Sequence, residues 1–243
     1  MSEWFASWFN SPYYHLLYKN RSEQEAIEFV NSLVEKLGLS KEDVLLDMAC
    51  GRGRHALAFA AHHMDVTGVD LSSESIAEAS KMASDNLTFY IHDMRQVFRA
   101  NYYTVVSNLF TSFGYFKRIH ENSLAATAMY VALRKNGTLI VDFVNQSFAR
   151  ASIDANREEE VVLDTIVFKI QRSYTKEMYS KKILVQDGAS SFPFEEVLQS
   201  FTLQQMIDIF TAVGFSFEQV YGNYRLEPYV EKDSPRMICI FRK

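Results

Sequence analysis

The stretch Val44-Leu45-Leu46-Asp47-Met48-Ala49-Cys50-Gly51-Arg52-Gly53-Arg54-His55 decides the fold of this chain. Its opening apolar run reads as a buried strand, the small residues after it as a turn, and 54–63 as a helix. The alternation continues downstream. Val66-Thr67-Gly68-Val69 reads as a strand, 73–84 as a helix, 87–91 and 104–109 as strands, 122–134 as a helix and 137–144 as a strand. Strands that alternate with helices pair in parallel through right-handed crossovers, so the pattern predicts an α/β fold with a doubly wound sheet.

Upstream of that stretch, Ser22-Glu23-Gln24-Glu25 has the spacing of a capping box. Apolar residues at helical period follow it as far as Leu37, and Gly38 is the terminator. The segment 4–18 is rich in aromatic residues, with Trp4/Trp8 and Phe5/Phe9 four apart on a helix face. It reads equally as core and as a lid that excludes water. After Asn145 the alternation breaks: 160–173 and 179–186 alternate polar and apolar residues with no helix between them, which predicts an antiparallel β insertion. Thr202-Leu203-Gln204-Gln205 caps a further helix that runs to Val213 and stops at Gly214. Strands at 215–221 and 237–241 have no helix between them and are expected to pair antiparallel. The expected division is an aromatic start and helix over 1–40, a core over 41–145, the insertion over 146–200, and a return to the core over 201–243.

The chain's 243 residues suffice for one large α/β domain with an appendage. With 48% hydrophobic and 23% charged residues it has the balance of a folded protein rather than a disordered tail. No apolar run approaches the ~18 residues a membrane helix needs. Met1 to Asn10 holds Glu3 and two tryptophans, with no basic residues ahead of an apolar run. No secretory signal is expected, and the chain is read as cytoplasmic. Cys50 and Cys239 both fall in predicted core segments and are read as reduced thiols, which leaves no cysteine zinc site. A net charge of −5 without a concentrated run of lysine and arginine removes the usual source of nucleic-acid affinity. His15, His62, His63, His92 and His120 lack a carboxylate at fixed spacing and are read as surface or packing residues. Glu158-Glu159-Glu160 is read as a solvated turn or strand end.

The turn after the first strand carries the chemistry. Gly51 and Gly53 lack the Cβ that would keep a ligand from the backbone, and the helix that follows turns its free amides toward that ligand. Gly51-x-Gly53-x-x-Ala56, with Asp70 closing the second strand, also fits a dinucleotide fingerprint. Three features favour S-adenosylmethionine instead. Asp47 ends the strand where a carboxylate repels a pyrophosphate but accepts from a methionyl amino group. Asp93, after the third strand, is placed to accept from an exocyclic amine while Met94 packs on a flat ring. The helix-free closing pair is foreign to the simple dinucleotide fold.

At these residues the sequence resembles the class I S-adenosylmethionine-dependent methyltransferases. Asp47-x-Ala49-Cys50-Gly51-x-Gly53-Arg54-His55, Val69-Asp70-Leu71-Ser72 and His92-Asp93-Met94-Arg95 occur in that family's order. The resemblance implies a Rossmann-like methyltransferase fold with a seven-stranded, mostly parallel sheet. It also implies that Asp47, Ala49, Gly51 and Gly53 surround the methionine portion. Asp70 would bind the ribose hydroxyls with Leu71 beside it, Asp93 and Met94 would hold the adenine, and Asn108 and Leu109 would face the sulfonium. Thr104 and Ala49 depart from the family's commoner Asp and Gly.

A closer likeness is to the small-molecule branch that includes amino-sugar and glycine N-methyltransferases. It rests on Leu17-Tyr18-Lys19-Asn20-Arg21, Asp93-Met94-Arg95, Phe110-Thr111-Ser112-Phe113-Gly114-Tyr115 and the β insertion. This likeness implies that Arg21 contacts the donor carboxylate and that Tyr18, with Tyr14 or Tyr115 as helpers, orients a small-molecule amine or hydroxyl acceptor. Asn108-Leu109-Phe110-Thr111 lacks the Pro-Pro-aromatic motif of nucleic-acid amino-methyltransferases. No metal is expected. A nicotinamide-dependent oxidoreductase and a non-catalytic donor-binding protein stay open as rivals. The insertion reads either as a substrate cover or as the face of a homodimer.

Overall fold

The computed structural model describes residues 4–19 and 22–243; Arg21, expected at the donor carboxylate, lies outside them. The chain begins with two short helices, α1 (Trp4–Phe9) and α2 (Pro12–Leu17), and a long one, α3 (Glu23–Leu37). The Ser22 hydroxyl accepts from the Glu25 amide at 3.1 Å, and Gly38 closes α3 in the left-handed conformation at φ 64°. Both ends of α3 are therefore set by local sequence.

Strand β1 (Val44–Met48) leads into α4 (Arg54–Ala60), then β2 (Asp65–Asp70), α5 (Ser73–Ala79) and β3 (Leu87–Ile91). Next come β4 (Tyr103–Asn108), α6 (Ile119–Ala132) and β5 (Leu133–Val144). Helix α4 is shorter than the expected 54–63, because the chain turns after Ala60 and His63 adopts φ 63°. A helix that the sequence did not announce, α7 (Gln146–Ala155), follows β5 with Asn145 as its cap. Four strands come after it: β6 (Glu158–Leu163), β7 (Ile166–Tyr174), β8 (Met178–Asp187) and β9 (Ser190–Gln199). The chain ends with α8 (Leu203–Ala212), β10 (Ser216–Tyr221) and β11 (Arg236–Arg242).

The main sheet has the order β10-β11-β5-β4-β1-β2-β3. Strands β1 to β5 pair in parallel, and β11 runs antiparallel to both of its neighbours, as the missing crossover helix requires. Both faces of this sheet are covered, which explains the nearly continuous apolar strands. On one face Leu46, Val106, Val141 and Phe241 pack with Met129 of α6 and Met206 and Phe210 of α8. On the other, Leu45, Val66, Val105 and Ile140 pack with Phe29, Val30 and Leu33 of α3 and Phe59 of α4.

The insertion is a separate antiparallel sheet in the order β6-β7-β8-β9, with twice the strands the sequence pattern suggested. Its inner face, Phe168, Ile170, Ile183 and Val185, buries Trp8 of α1 and forms a third, smaller core. Phe5 meanwhile enters the main core against Phe116, their ring centroids 6.1 Å apart. The aromatic start is thus packed between the two sheets. Cys50 and Cys239 are free thiols, both buried. Among the described residues no helix is long and apolar enough to cross a membrane.

Candidate functional site

Three left-handed residues shape the turn after β1: Ala49 at φ 62°, Gly51 at 57° and Gly53 at 82°. The two glycines do different jobs. A side chain at Gly51 would meet nothing within 4 Å, whereas one at Gly53 would meet the Phe89 ring at 2.7 Å. Gly51 therefore keeps the backbone open, and Gly53 lets the turn sit against β3. Ala49 holds its conformation at a cost of about 1–2 kcal/mol that a glycine would avoid.

This turn opens onto a cavity of about 640 Å³ at the carboxyl ends of β1 to β4, where ligands bind in open α/β sheets. Ala49, Gly51, Asp70, Leu71, Asp93, Met94 and Leu109 line it from the sheet side. Phe5, Phe9, Tyr14, Tyr18, Tyr115 and Phe116 line it from the other. The acids of β2 and the loop after β3, distant in sequence, thus share one cavity.

Each Asp70 oxygen is fixed by a backbone amide, Oδ2 by Gly51 and Oδ1 by Ser72, both at 2.8 Å. Burial raises its carboxyl above the usual range, and those amide bonds oppose the rise. A carboxylate oxygen accepts more than one hydrogen bond, so both oxygens keep capacity for a pair of hydroxyls. Ser72, the cap of α5, also donates to Asn10 Oδ1 at 2.7 Å and ties the α1–α2 junction to this end of the cavity.

Asp93 is gripped by Arg95, whose Nη2 donates to Oδ2 at 2.6 Å and whose Nε lies 3.0 Å from Oδ1. Partial burial pushes this carboxyl up, but the bonds and charge of Arg95 outweigh it and leave it below the usual range. Arg95 also donates to Glu121 of α6 at 2.7 Å and lies over the Phe116 ring. The Asp93-Met94-Arg95 loop is therefore bolted to α6.

Asp47 lies beneath the turn, 1% exposed, and is not among the cavity-lining residues. Ser107 donates to its Oδ1 at 2.8 Å, and Oδ2, also buried, has no hydrogen-bond partner among the described residues. Burial raises this carboxyl to about 7, opposed by the Ser107 bond and raised further by Asp70. A buried acid with half its acceptor capacity unmet is the signature of a missing donor group, and a methionyl ammonium fits it. Asn108 departs from its expected place. It is fully buried, donates to the Met48 carbonyl at 2.9 Å, and is not among the cavity-lining residues, whereas Leu109 is. The chain turns sharply after β4, so Asn108 braces β1 while its neighbour faces the site.

That turn is strained, with Phe110 at φ 59° and Thr111 at 60° in succession. Asp142 of β5 holds both: its Oδ2 accepts from the Phe110 amide at 2.8 Å and its carbonyl from the Thr111 amide at 2.9 Å. Arg236 of β11 completes the clamp, donating to Asp142 Oδ1 at 2.7 Å and Thr111 Oγ1 at 2.8 Å. The Phe110 ring, on the cavity wall, lies under the Arg54 guanidinium at 4.3 Å.

Tyr18 and Tyr14 pack at a tilt with ring centroids 4.9 Å apart, and Tyr115 meets Phe9 edge-on at 5.4 Å, so the three expected tyrosines stand on one wall. His15 and His92, read from the sequence as surface or packing residues, line the cavity as well, as do Arg54 and His55 of the first turn of α4, which the sequence left evenly between donor contact and solvent. Burial, helped by the charge of Arg52, holds the His15 imidazole below its usual range. No local pattern marks these histidines, because the fold alone gathers them. Among the described residues no cluster of His, Cys, Asp and Glu could hold a metal ion.

The strand order and the acid-floored cavity define an S-adenosylmethionine-dependent methyltransferase of the seven-stranded α/β type. Residues 45–137 match the family described as Methyltransferase domain. It is 25% identical over 217 residues, 86% of this chain and 91% of the relative, to the dTDP-3-amino-3,4,6-trideoxy-alpha-D-glucopyranose N,N-dimethyltransferase of Streptomyces venezuelae. The crystal structure of an S-adenosylmethionine-dependent methyltransferase from Clostridium acetobutylicum superposes with a TM-score of 0.77 at 17% identity, covering 95% of both chains. That of CalS10, an amino pentose methyltransferase from Micromonospora echinaspora, gives 0.66 at 19% identity, covering 96% of this chain and 97% of that one.

Proposed function

We propose that this methyltransferase N-methylates an amino sugar carried on a nucleotide. The observation that carries the reading is the division of one cavity into an acid-lined end and an aromatic wall. Asp70 and Asp93, on the lining, supply carboxylates for a ribose diol and an exocyclic amine, and Asp47, buried beneath the turn, supplies one for an ammonium. Ala49, Gly51, Leu71 and Met94 supply the surface between them. The tyrosine wall supplies apolar faces with polar tips, suited to the ring of a sugar. The likeness to a curated amino-sugar dimethyltransferase over most of both chains supports the acceptor class.

When bound, S-adenosylmethionine supplies a methyl carbon already activated by its sulfonium. The chain then has to hold donor and acceptor in line and exclude water, which is a task of positioning. In this reading the insertion acts as cover; its inner face packs against α1 and α2, whose residues line the cavity.

S-adenosylhomocysteine formation tests the acceptor class across a panel: a dTDP-linked 3-amino deoxysugar, its 3-hydroxy counterpart, free glucosamine and glycine. Turnover of the amino sugar and not of the hydroxy sugar is expected. Turnover of the hydroxy sugar or of glycine alone contradicts the reading.

A further inference from the structure

The inner face of the insertion joins its apolar core to charged residues, among them the Arg172–Glu159 ion pair and Asp187, which accepts from Tyr13. Lys181 of β8 and Glu196 of β9 are cross-strand partners, with Nζ 3.8 Å from Oε2 and side chains only 17% and 18% exposed. Removing two charges from water is costly, and packing alone gives no reason for it. Both reach Tyr18. The Tyr18 hydroxyl donates to Glu196 Oε1 at 2.7 Å, and Lys181 Nζ donates to the same phenol oxygen while lying 4.7 Å from the ring centroid. Trp8 Nε1 donates to Glu196 Oε1 at 2.7 Å.

The chemistry of these groups fixes the direction of each bond. A carboxylate only accepts and an ammonium only donates, so the single phenol hydrogen goes to Glu196 and the oxygen accepts from Lys181. We propose that Glu196 and Lys181 are positioning residues that set the polarity of Tyr18, so that its oxygen meets the acceptor amine as a hydrogen-bond acceptor only. This rests on the amino-sugar reading above. In methyl transfer the nitrogen lone pair forms the new N–C bond, the C–S bond breaks with its electron pair passing to sulfur, and the surplus proton on nitrogen leaves to water. A phenol that turned its hydrogen to the nitrogen would occupy the attacking lone pair. With the hydrogen held by Glu196, the phenol oxygen takes an amine N–H instead and aims the lone pair at the methyl carbon.

The test is a double-mutant cycle on the dTDP-linked 3-amino sugar, with S-adenosylhomocysteine thermal shift as the check on fold and donor site. Glu196→Gln and Tyr18→Phe are each expected to lower kcat roughly ten- to hundredfold at unchanged thermal shift. The double variant should be no worse than Tyr18→Phe alone. Trp8→Phe, which removes the other donor to the same oxygen, should stay within about threefold of the parent. Should Glu196→Gln lose the thermal shift, Lys181→Met replaces it, with a several-fold loss expected beside Tyr18 and none beside Phe. A Glu196→Gln enzyme within twofold of the parent, additive losses, or a Trp8→Phe loss equal to that of Glu196→Gln would each overturn the proposal. A parent chain inactive on every amino sugar would overturn the acceptor reading and this inference together, and that is seen before any variant is made.

Discussion

Asp47 is the residue where burial and function are most tightly joined. Its buried carboxyl, raised to about 7 and satisfied on one oxygen only, is held ready for a cation. In the empty protein the folded state binds this proton more tightly than the unfolded chain does. The group's contribution to stability is therefore full at acid pH and is lost as pH rises through 7. A ligand ammonium reverses the preference by favouring the ionised form. Affinity for S-adenosylhomocysteine is expected to rise with pH, approaching tenfold per unit below 7 and levelling above it. Asp47→Asn should bind more weakly at pH 8 and show little of this pH dependence; calorimetric titrations at pH 6, 7 and 8 make the comparison.

Among the elements, β4, β5 and β11 act together to hold the turn 110–111. Asp142 and Arg236 lie 94 residues apart in sequence, and their pairing leaves no local trace. The Arg236 guanidinium and the fully buried Asp142 form a pair that cannot lose one member cheaply. Arg236→Met should destabilise the fold by about 3–5 kcal/mol in urea unfolding, because it strands a buried carboxylate.

What the sequence made legible follows from the range of each interaction. The β1 turn, the Ser22 cap, the Thr202 capping box and the glycine stops at 38 and 214 are local and appear where the pattern placed them, although at Ser22 only the hydroxyl half of the expected box forms. Asp70, Asp93, Met94 and Leu109 were readable because strand ends in this topology converge on one edge. Strand β9 was hidden by Pro193 and its run of polar residues, and α7 by a short amphipathic stretch between two β patterns. Asn108 misled because a strand-end residue was assumed to point outward, whereas the turn comes one residue later. Lys181, Glu196 and Arg236 were invisible, since each acquires its role from a partner on another element.

For the molecule as a whole, the aromatic start is wedged between two sheets and closes one side of a cavity at the carboxyl ends of the main sheet's strands. The main sheet supplies the acids and the turn, and the smaller sheet reaches the same space through Tyr18. Binding of an adenosyl compound through Asp70, rather than of a dinucleotide on the same turn, underlies everything else. Titration calorimetry of the parent chain and Asp70→Ala with S-adenosylhomocysteine, and of the parent with NAD, tests it most directly. The expected result is saturable binding of S-adenosylhomocysteine, weakened roughly ten- to hundredfold in Asp70→Ala by loss of bonds worth about 1.5–3 kcal/mol, and no heat with NAD. Tight NAD binding, or an Asp70→Ala chain that binds S-adenosylhomocysteine as well as the parent does, would contradict it.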